Sequence, residues 1–177
     1  MDPLHVWYFA YGSNMQIATI RGRRGIAFRR ALPARLQGWQ LVFDKPGLLA
    51  TGESYANIIP DADATVLGVA FEITEDDLRH VELTEGVLIG NYQRIEVQVM
   101  PLASHEPASR PAFSLTSDRR DPQLQPSQRY MDILVQGATE HGLPAEYIAA
   151  LRATPTRPET PESAAVRAFI DDALRQR

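Results

Sequence analysis

The sequence predicts an α+β domain built on a small mixed β-barrel of five to six short strands with flanking helices. Two observations carry this. Strand-like segments crowd the first two thirds of the chain, and helical periodicity is confined to the last third and one short segment near residue 78. Strands first and helices afterwards favour a barrel-like sheet over a doubly wound α/β sheet, in which the two alternate. The length of 177 residues, with 44% hydrophobic and 23% charged residues, suits a single domain over 1–177 with a sizeable core.

The first strand is expected over 6–10, rich in aromatic and β-branched residues, and it runs into the turn formers Tyr11-Gly12-Ser13-Asn14. Residues 21–30 carry Arg21, Arg23, Arg24, Arg29 and Arg30. With Gly22 and Gly25 among them, they read as a solvated basic loop rather than a regular helix. Further strands are expected at 39–43, 56–59 and 65–73. Lys45-Pro46-Gly47 reads as a turn opening an irregular loop over 44–54.

Thr74, with Asp77 three residues on, predicts a capped helix start, and Glu75 and Asp76 suit the positive end of the helix dipole. Glu85-Gly86 marks its end. From Tyr92 to Met100 the chain alternates, with Ile95, Val97 and Val99 on one face and Arg94, Glu96 and Gln98 on the other. A Pro-rich hairpin loop over 101–111 leads to a return strand at 112–116. Three helices follow. Ser127 caps one, Pro144 suits the first turn of the next, and the last runs from about Pro161 with the stripe Val166, Phe169, Ile170 and Leu174.

Composition narrows the function. A net charge of −4 argues against a nucleic-acid binder, and the Arg cluster is the one feature that favours an RNA-binding barrel. There is no cysteine, hence no disulfide, thiolate metal site or cysteine nucleophile. His5, His80, His105 and His141 lack metal-ligand spacing, so no metal site is expected. No Gly-x-Ser-x-Gly elbow occurs. No window approaches a membrane span and the first residues lack a signal-peptide pattern, so the expected setting is the cytoplasm.

Two segments offer chemistry. The turn Gly12-Ser13-Asn14 after a buried strand can present amide N–H groups to an anion, or simply end the strand. Glu85, at the end of an apolar-faced helix beside a glycine, is either a solvated helix-end residue or a half-buried carboxylate of raised pKa that moves protons near neutral pH. A carboxylate there also opposes the helix dipole. Tyr92 opens the alternating strand on the side of Arg94, facing a polar cavity or packing at the surface.

Taken together, these segments resemble the gamma-glutamylcyclotransferase superfamily, including its AIG2-like members. Tyr8-Phe9-Ala10-Tyr11-Gly12-Ser13-Asn14-Met15 is similar to the family's substrate-binding loop, and Leu36 to Phe43 to its next strand. Ala56-Asn57-Ile58 and Gly68 to Phe71 follow. Glu85-Gly86, with Tyr92 seven residues on, resembles the catalytic segment. Pro126-Ser127 with Tyr130, Gly137-Ala138 and Gly142-Leu143-Pro144-Ala145-Glu146-Tyr147-Ile148 resemble the C-terminal helical region of the gamma-glutamylcyclotransferase branch proper. The likeness spans about 7–151 and leaves 152–177 as an extension that covers the pocket or makes a dimer contact.

The resemblance implies cyclisation of a γ-glutamyl amide to 5-oxoproline with release of an amine, without metal or organic cofactor. It implies Glu85 as general acid/base, and Tyr11, Gly12, Ser13, Asn14, Met15 and Tyr92 as substrate-binding residues. The implied partner is a small γ-glutamyl substrate, with no nucleic acid or membrane and a homodimer as the open assembly. Phe113 stands where members often carry a tyrosine, which touches substrate identity. Two other readings stay open: a cyclotransferase dedicated to one γ-glutamylated pathway intermediate, and a non-catalytic binding module of the same fold.

Overall fold

The computed structural model describes residues 3–103 and 108–175. His105 and the middle of the expected hairpin loop lie outside the described residues, as do Met1, Asp2 and the side chain of Leu174 in the final stripe.

Five strands close into a barrel in the order β1-β3-β2-β4-β5. They are β1 (His5–Ala10), β2 (Arg30–Pro46), β3 (Ser54–Thr74), β4 (Gln93–Pro101) and β5 (Arg110–Thr116). Among the described residues four α-helices flank them: α1 (Glu75–Thr84), α2 (Gln128–Glu140), α3 (Ala145–Arg152) and α4 (Pro161–Arg175). Strand β1 closes the barrel. It pairs antiparallel with β3 from His5↔Thr74 to Ala10↔Val69, and parallel with β5 at Tyr8↔Phe113. Ser114 donates its hydroxyl to the Phe9 carbonyl at 2.9 Å, which ties the parallel seam together.

The expected strands at 56–59 and 65–73 are one strand, so the count is five. The intervening residues 60–64 are proline, aspartate and alanine, all exposed or half-buried, and read as a break. They instead form the outer arm of a long β2–β3 hairpin, whose register skips between Gln37 and Trp39. The expected turn at Lys45 is also corrected. Val42 pairs with Asn57 and Lys45 with Tyr55, so β2 advances three residues while β3 advances two. This is a β-bulge with one extra residue, and it buries the neighbours Asp44 and Lys45 together where alternation would expose one of them.

The core is filled by Phe9, Val69, Phe71, Ile73, Val97, Val99 and Leu115 on the barrel strands. Beneath α2 it continues through Met15, Met131 and Leu134. The expected alternation of β4 holds, with Val97 and Val99 buried. Thr74 caps α1 by accepting from the Asp77 amide at 3.1 Å. The Asp77 carboxylate takes the Thr74 hydroxyl at 2.8 Å, so the reciprocal half of a capping box is replaced by a side-chain contact. Ser127 caps α2 as expected. Pro144 sits one position before the first turn of α3, at its cap.

Two close approaches fix the loop that follows β1. A Cβ at Gly68 would stand 2.3 Å from the Ala10 carbonyl, so only glycine lets β3 pass the end of β1. A Cβ at Gly137 would stand 2.6 Å from the Gln16 amide and 2.8 Å from the Met15 carbonyl carbon. Thus α2 lies directly on the backbone of residues 15–16. His141, after α2, donates from Nε2 to the Met15 carbonyl at 2.9 Å and holds the same segment. We expect Gly137→Ala to cost about 1–3 kcal/mol by overpacking, seen as a lower urea midpoint at unchanged slope.

Candidate functional site

A cavity of about 490 Å³ opens at one end of the barrel. Its floor comes from the end of β1 and the turn after it, one wall from the α1–β4 connection, and another from α2 and α4. The expected site residues Tyr11, Gly12, Ser13, Asn14, Glu85 and Tyr92 all line it. Met15 does not. It is fully buried beneath α2 and supports the turn from behind.

The turn is a short 3-10 segment, Ser13–Met15, closed by the Met15 amide on the Gly12 carbonyl at 3.1 Å. Gly12 leaves room for Tyr130, whose hydroxyl oxygen would lie 3.2 Å from a Cβ there. That hydroxyl accepts the Ala56 amide at 3.1 Å. Burial raises the Tyr130 pKa well above the ordinary tyrosine value, so the phenol stays protonated with a hydrogen to donate. Tyr8 and Tyr11 are raised for the same first reason. Tyr11 donates to the Leu115 carbonyl at 2.5 Å and so is committed to the barrel wall.

Glu85 is the C-terminal cap of α1, and Gly86 turns the chain away with φ of +72°. Its Oε1 accepts from Arg24 Nη2 at 2.6 Å and from Asn14 Nδ2 at 3.0 Å. The Glu85 side chain is 17% exposed and that of Arg24 is 8% exposed. Arg24 Nε also reaches Asn14 Oδ1 at 3.3 Å, and Asn14 Nδ2 lies 3.0 Å from the Tyr8 hydroxyl. Among the described residues Glu85 Oε2 accepts no hydrogen bond, which leaves it to the cavity.

Arg24 corrects the reading of 21–30 as a solvated loop. Ala18–Arg23 forms a π-type turn, with the Arg24 amide on the Thr19 carbonyl at 2.9 Å. This wider turn carries Arg24 inward to Glu85. Arg23 forms an ion pair with Asp171 of α4 at 2.7 Å, while Arg21 stacks over Phe28. Five arginines in ten residues look like a solvated face, and no local pattern marks the one that turns in.

Tyr92 also departs from expectation. Strand β4 begins at Gln93, so Tyr92 is outside the alternation. It donates to the Ala56 carbonyl at 2.9 Å inside the cavity, whereas Arg94 pairs with Glu82 on the outer surface. Phe113 does not line the cavity, and its ring lies under Arg94. The stripe residues Val166, Phe169 and Ile170 of α4 border the cavity rim with Leu48, Leu49 and Ile89.

Lys45 was missed by sequence reasoning, and the bulge explains why. It is 2% exposed and lines the cavity. Its ammonium donates to Asn91 Oδ1 at 2.6 Å and to the Pro46 carbonyl at 2.9 Å, and it lies 4.4 Å from the centre of the Tyr92 ring. Asn91 in turn donates to the Glu85 carbonyl at 2.9 Å. Burial first, then Arg119, lower the Lys45 pKa to about 8, with Glu85 acting in the opposite sense.

The fold and site together define a class: a closed five-stranded barrel with a paired carboxylate bound to the asparagine of a Gly-Ser-Asn turn on the wall of a mouth cavity. The chain is 34% identical to the gamma-glutamylcyclotransferase of Bos taurus over 144 residues, 79% of this chain and 73% of that protein. It is 34% identical to that of Homo sapiens over 151 residues, 82% of this chain and 77% of that protein. A gamma-glutamyl cyclotransferase of Aspergillus oryzae matches at 30% over 165 residues, 83% of this chain, and the match spans 60% of that longer protein.

The AIG2-like family model matches residues 65–151. A solved Homo sapiens structure, described as an uncharacterized protein, superposes with a TM-score of 0.78 at 30% identity, covering 97% of this chain and 98% of that one. A solved gamma-glutamyl cyclotransferase superposes with a TM-score of 0.76 at 28% identity, covering 98% and 100%. The chain belongs to the gamma-glutamylcyclotransferase family.

The lowered Lys45 pKa has a defined consequence. Between about 8 and 10.5 the unfolded chain holds this proton and the folded chain does not, so over that window the group makes stability rise with pH. Carbon-13 NMR of labelled lysine should show Lys45 titrating near 8, and Arg119→Gln should move it upward.

Proposed function

We propose that this chain converts a γ-glutamyl amide to 5-oxoproline and a free amine, with Glu85 as general acid/base. One observation carries the reading. The carboxylate of Glu85 and the side chain of Asn14, 71 positions apart in sequence, meet at 3.0 Å on the wall of one cavity.

The chemistry follows from the groups present. The substrate's α-ammonium gives a proton to Glu85, and the freed amine attacks its own γ-carbonyl carbon. A C–N bond closes the five-membered ring. The bond to the leaving nitrogen then breaks as Glu85 returns that proton to it, and the ring nitrogen gives up its second proton to the departing amine through Glu85 or solvent, which leaves a neutral lactam and an ammonium. Arg24 and Asn14 hold Oε1 and leave Oε2 as the base that faces the substrate. The turn Gly12–Asn14 and the Tyr130 hydroxyl supply donors for the substrate carboxylate or the developing oxyanion. Attack within one molecule needs mainly a folded pose, which Tyr92 and Tyr11 help to wall in.

In this reading the whole chain acts as one unit in the cytoplasm, with α4 as part of the cavity wall and a small molecule as its partner. The test is 5-oxoproline release from γ-glutamyl amino acids, γ-glutamyl amines and glutathione. Glu85→Gln should keep the fold and lower turnover about 10²–10⁴-fold. Wild-type turnover in that variant, or no release from any substrate by the native enzyme, would overturn the reading.

A further inference from the structure

Two cations share one neutral oxygen beside the cavity. Lys45 Nζ stands 2.6 Å from Asn91 Oδ1, and Arg119 Nη1 stands 2.7 Å from the same atom. Arg119 is fixed from its other nitrogen by the Gly47 carbonyl at 3.2 Å. Of the carboxylates that line the cavity or flank Lys45 in sequence, Glu85 pairs with Arg24, Glu159 with Arg167 and Asp44 with Arg120 at 2.6 Å, while the buried Glu53 also lines the cavity and its Oε1 has no hydrogen-bond partner among the described residues. Among the described residues no carboxylate forms an ion pair with Lys45 or Arg119.

Such an arrangement is costly without an anion. Taking an ammonium out of water is unfavourable unless an opposite charge meets it, and a second cation behind it adds repulsion. The fold nevertheless goes out of its way to make it. The bulge in β2 inserts one residue and thereby turns Lys45 inward, where it lines the cavity beside Tyr92. Bulges that re-aim a side chain occur next to functional sites. The chain then leaves through Gly47 to Leu48 and Leu49, which form an apolar stretch of the cavity rim.

We propose that Lys45, backed by Arg119, receives a carboxylate carried by the leaving group, and so sets the specificity of the reaction on that side. The inference rests on the cyclotransferase reading of the site. The glutamyl moiety faces Glu85 and the turn Gly12–Asn14, and the departing nitrogen points toward the Lys45 side of the cavity. A carboxylate one carbon from that nitrogen gives the two cations their missing counter-ion, while an apolar side chain meets Leu48 and Leu49. Lys45 then acts as a point charge that separates leaving groups by charge, and it takes no part in bond making or breaking.

The test compares three substrates that differ at one group: γ-glutamyl-leucine, γ-glutamyl-leucinamide and γ-glutamyl-3-methylbutylamine. The native enzyme should favour the carboxylate over the other two by roughly 10–100-fold in kcat/KM, the scale of a hydrogen bond to a charged group. Lys45→Met should erase that preference by raising KM for γ-glutamyl-leucine, with kcat little changed and the two uncharged substrates unaffected. Their continued turnover is also the check that the variant folds.

Equal use of all three substrates by the native enzyme overturns the proposal without any variant, and leaves the cyclotransferase reading intact. An equal rise in KM for all three in Lys45→Met places the lysine on the glutamyl carboxylate and overturns it too. An equal fall in kcat places the lysine in the chemistry and likewise overturns the proposal. No release from any of the three by the native enzyme sinks the underlying reading as well.

Discussion

Glu85 carries its charge at the C-terminal end of α1, where helix carbonyls already make the potential negative, and only 17% of its side chain is open to solvent. A carboxylate so placed needs a cation, and Arg24 provides it at 2.6 Å. Much of the local architecture serves that pairing. The π-type turn over Ala18–Arg23 brings Arg24 inward, and Asn14 bridges the two charges by giving Nδ2 to Glu85 and taking Nε from Arg24. Asn14 can do so because β1 ends at Ala10 against Gly68, and because α2 presses on residues 15–16 through Gly137. Barrel closure, turn and helix packing thus converge on one oxygen atom.

The division of that carboxylate matters for chemistry. Oε1 is occupied by two donors from the protein, and Oε2 is left to the cavity. A base held by one oxygen keeps its orientation while the other exchanges a proton with a guest. The same contact fixes the carboxylate in place, so the position of the base depends on Arg24. A change at Arg24 would therefore disturb both the position of the base and its electrostatics.

The parts of this site that lie in continuous segments were legible in the sequence. A strand running into Gly12-Ser13-Asn14, and a helix stopped by Gly86 after Glu85, are local events written in local residue types. The cap residues Thr74 and Ser127 are of the same kind. What escaped was set by tertiary geometry. Arg24 differs from its neighbours only in where a wide turn points it. Lys45 is buried because one extra residue in β2 shifts the pleat, and a Lys-Pro-Gly sequence gives no hint of that. The continuity of β3 through exposed residues depends on its partner β2, since an isolated stretch so polar has no face to bury.

The placement of charge around the cavity also separates two tasks that one cation could not perform. Arg24 is neutralised by Glu85, so it orients the base without adding net attraction for an anion. Lys45 and Arg119 remain without a carboxylate, and they lie on the other side of Asn91, whose Nδ2 holds the Glu85 carbonyl and whose Oδ1 holds both cations. Asn91 therefore ties the backbone of the residue that carries the base to the two cations through one amide. Were Lys45 to pair with Glu85 directly, the base would be tied on both oxygens and the positive charge cancelled. Because Lys45 is held by Asn91 and the Pro46 carbonyl instead, the carboxylate stays available to a substrate ammonium, and the positive charge is left to act on whatever anion the substrate brings.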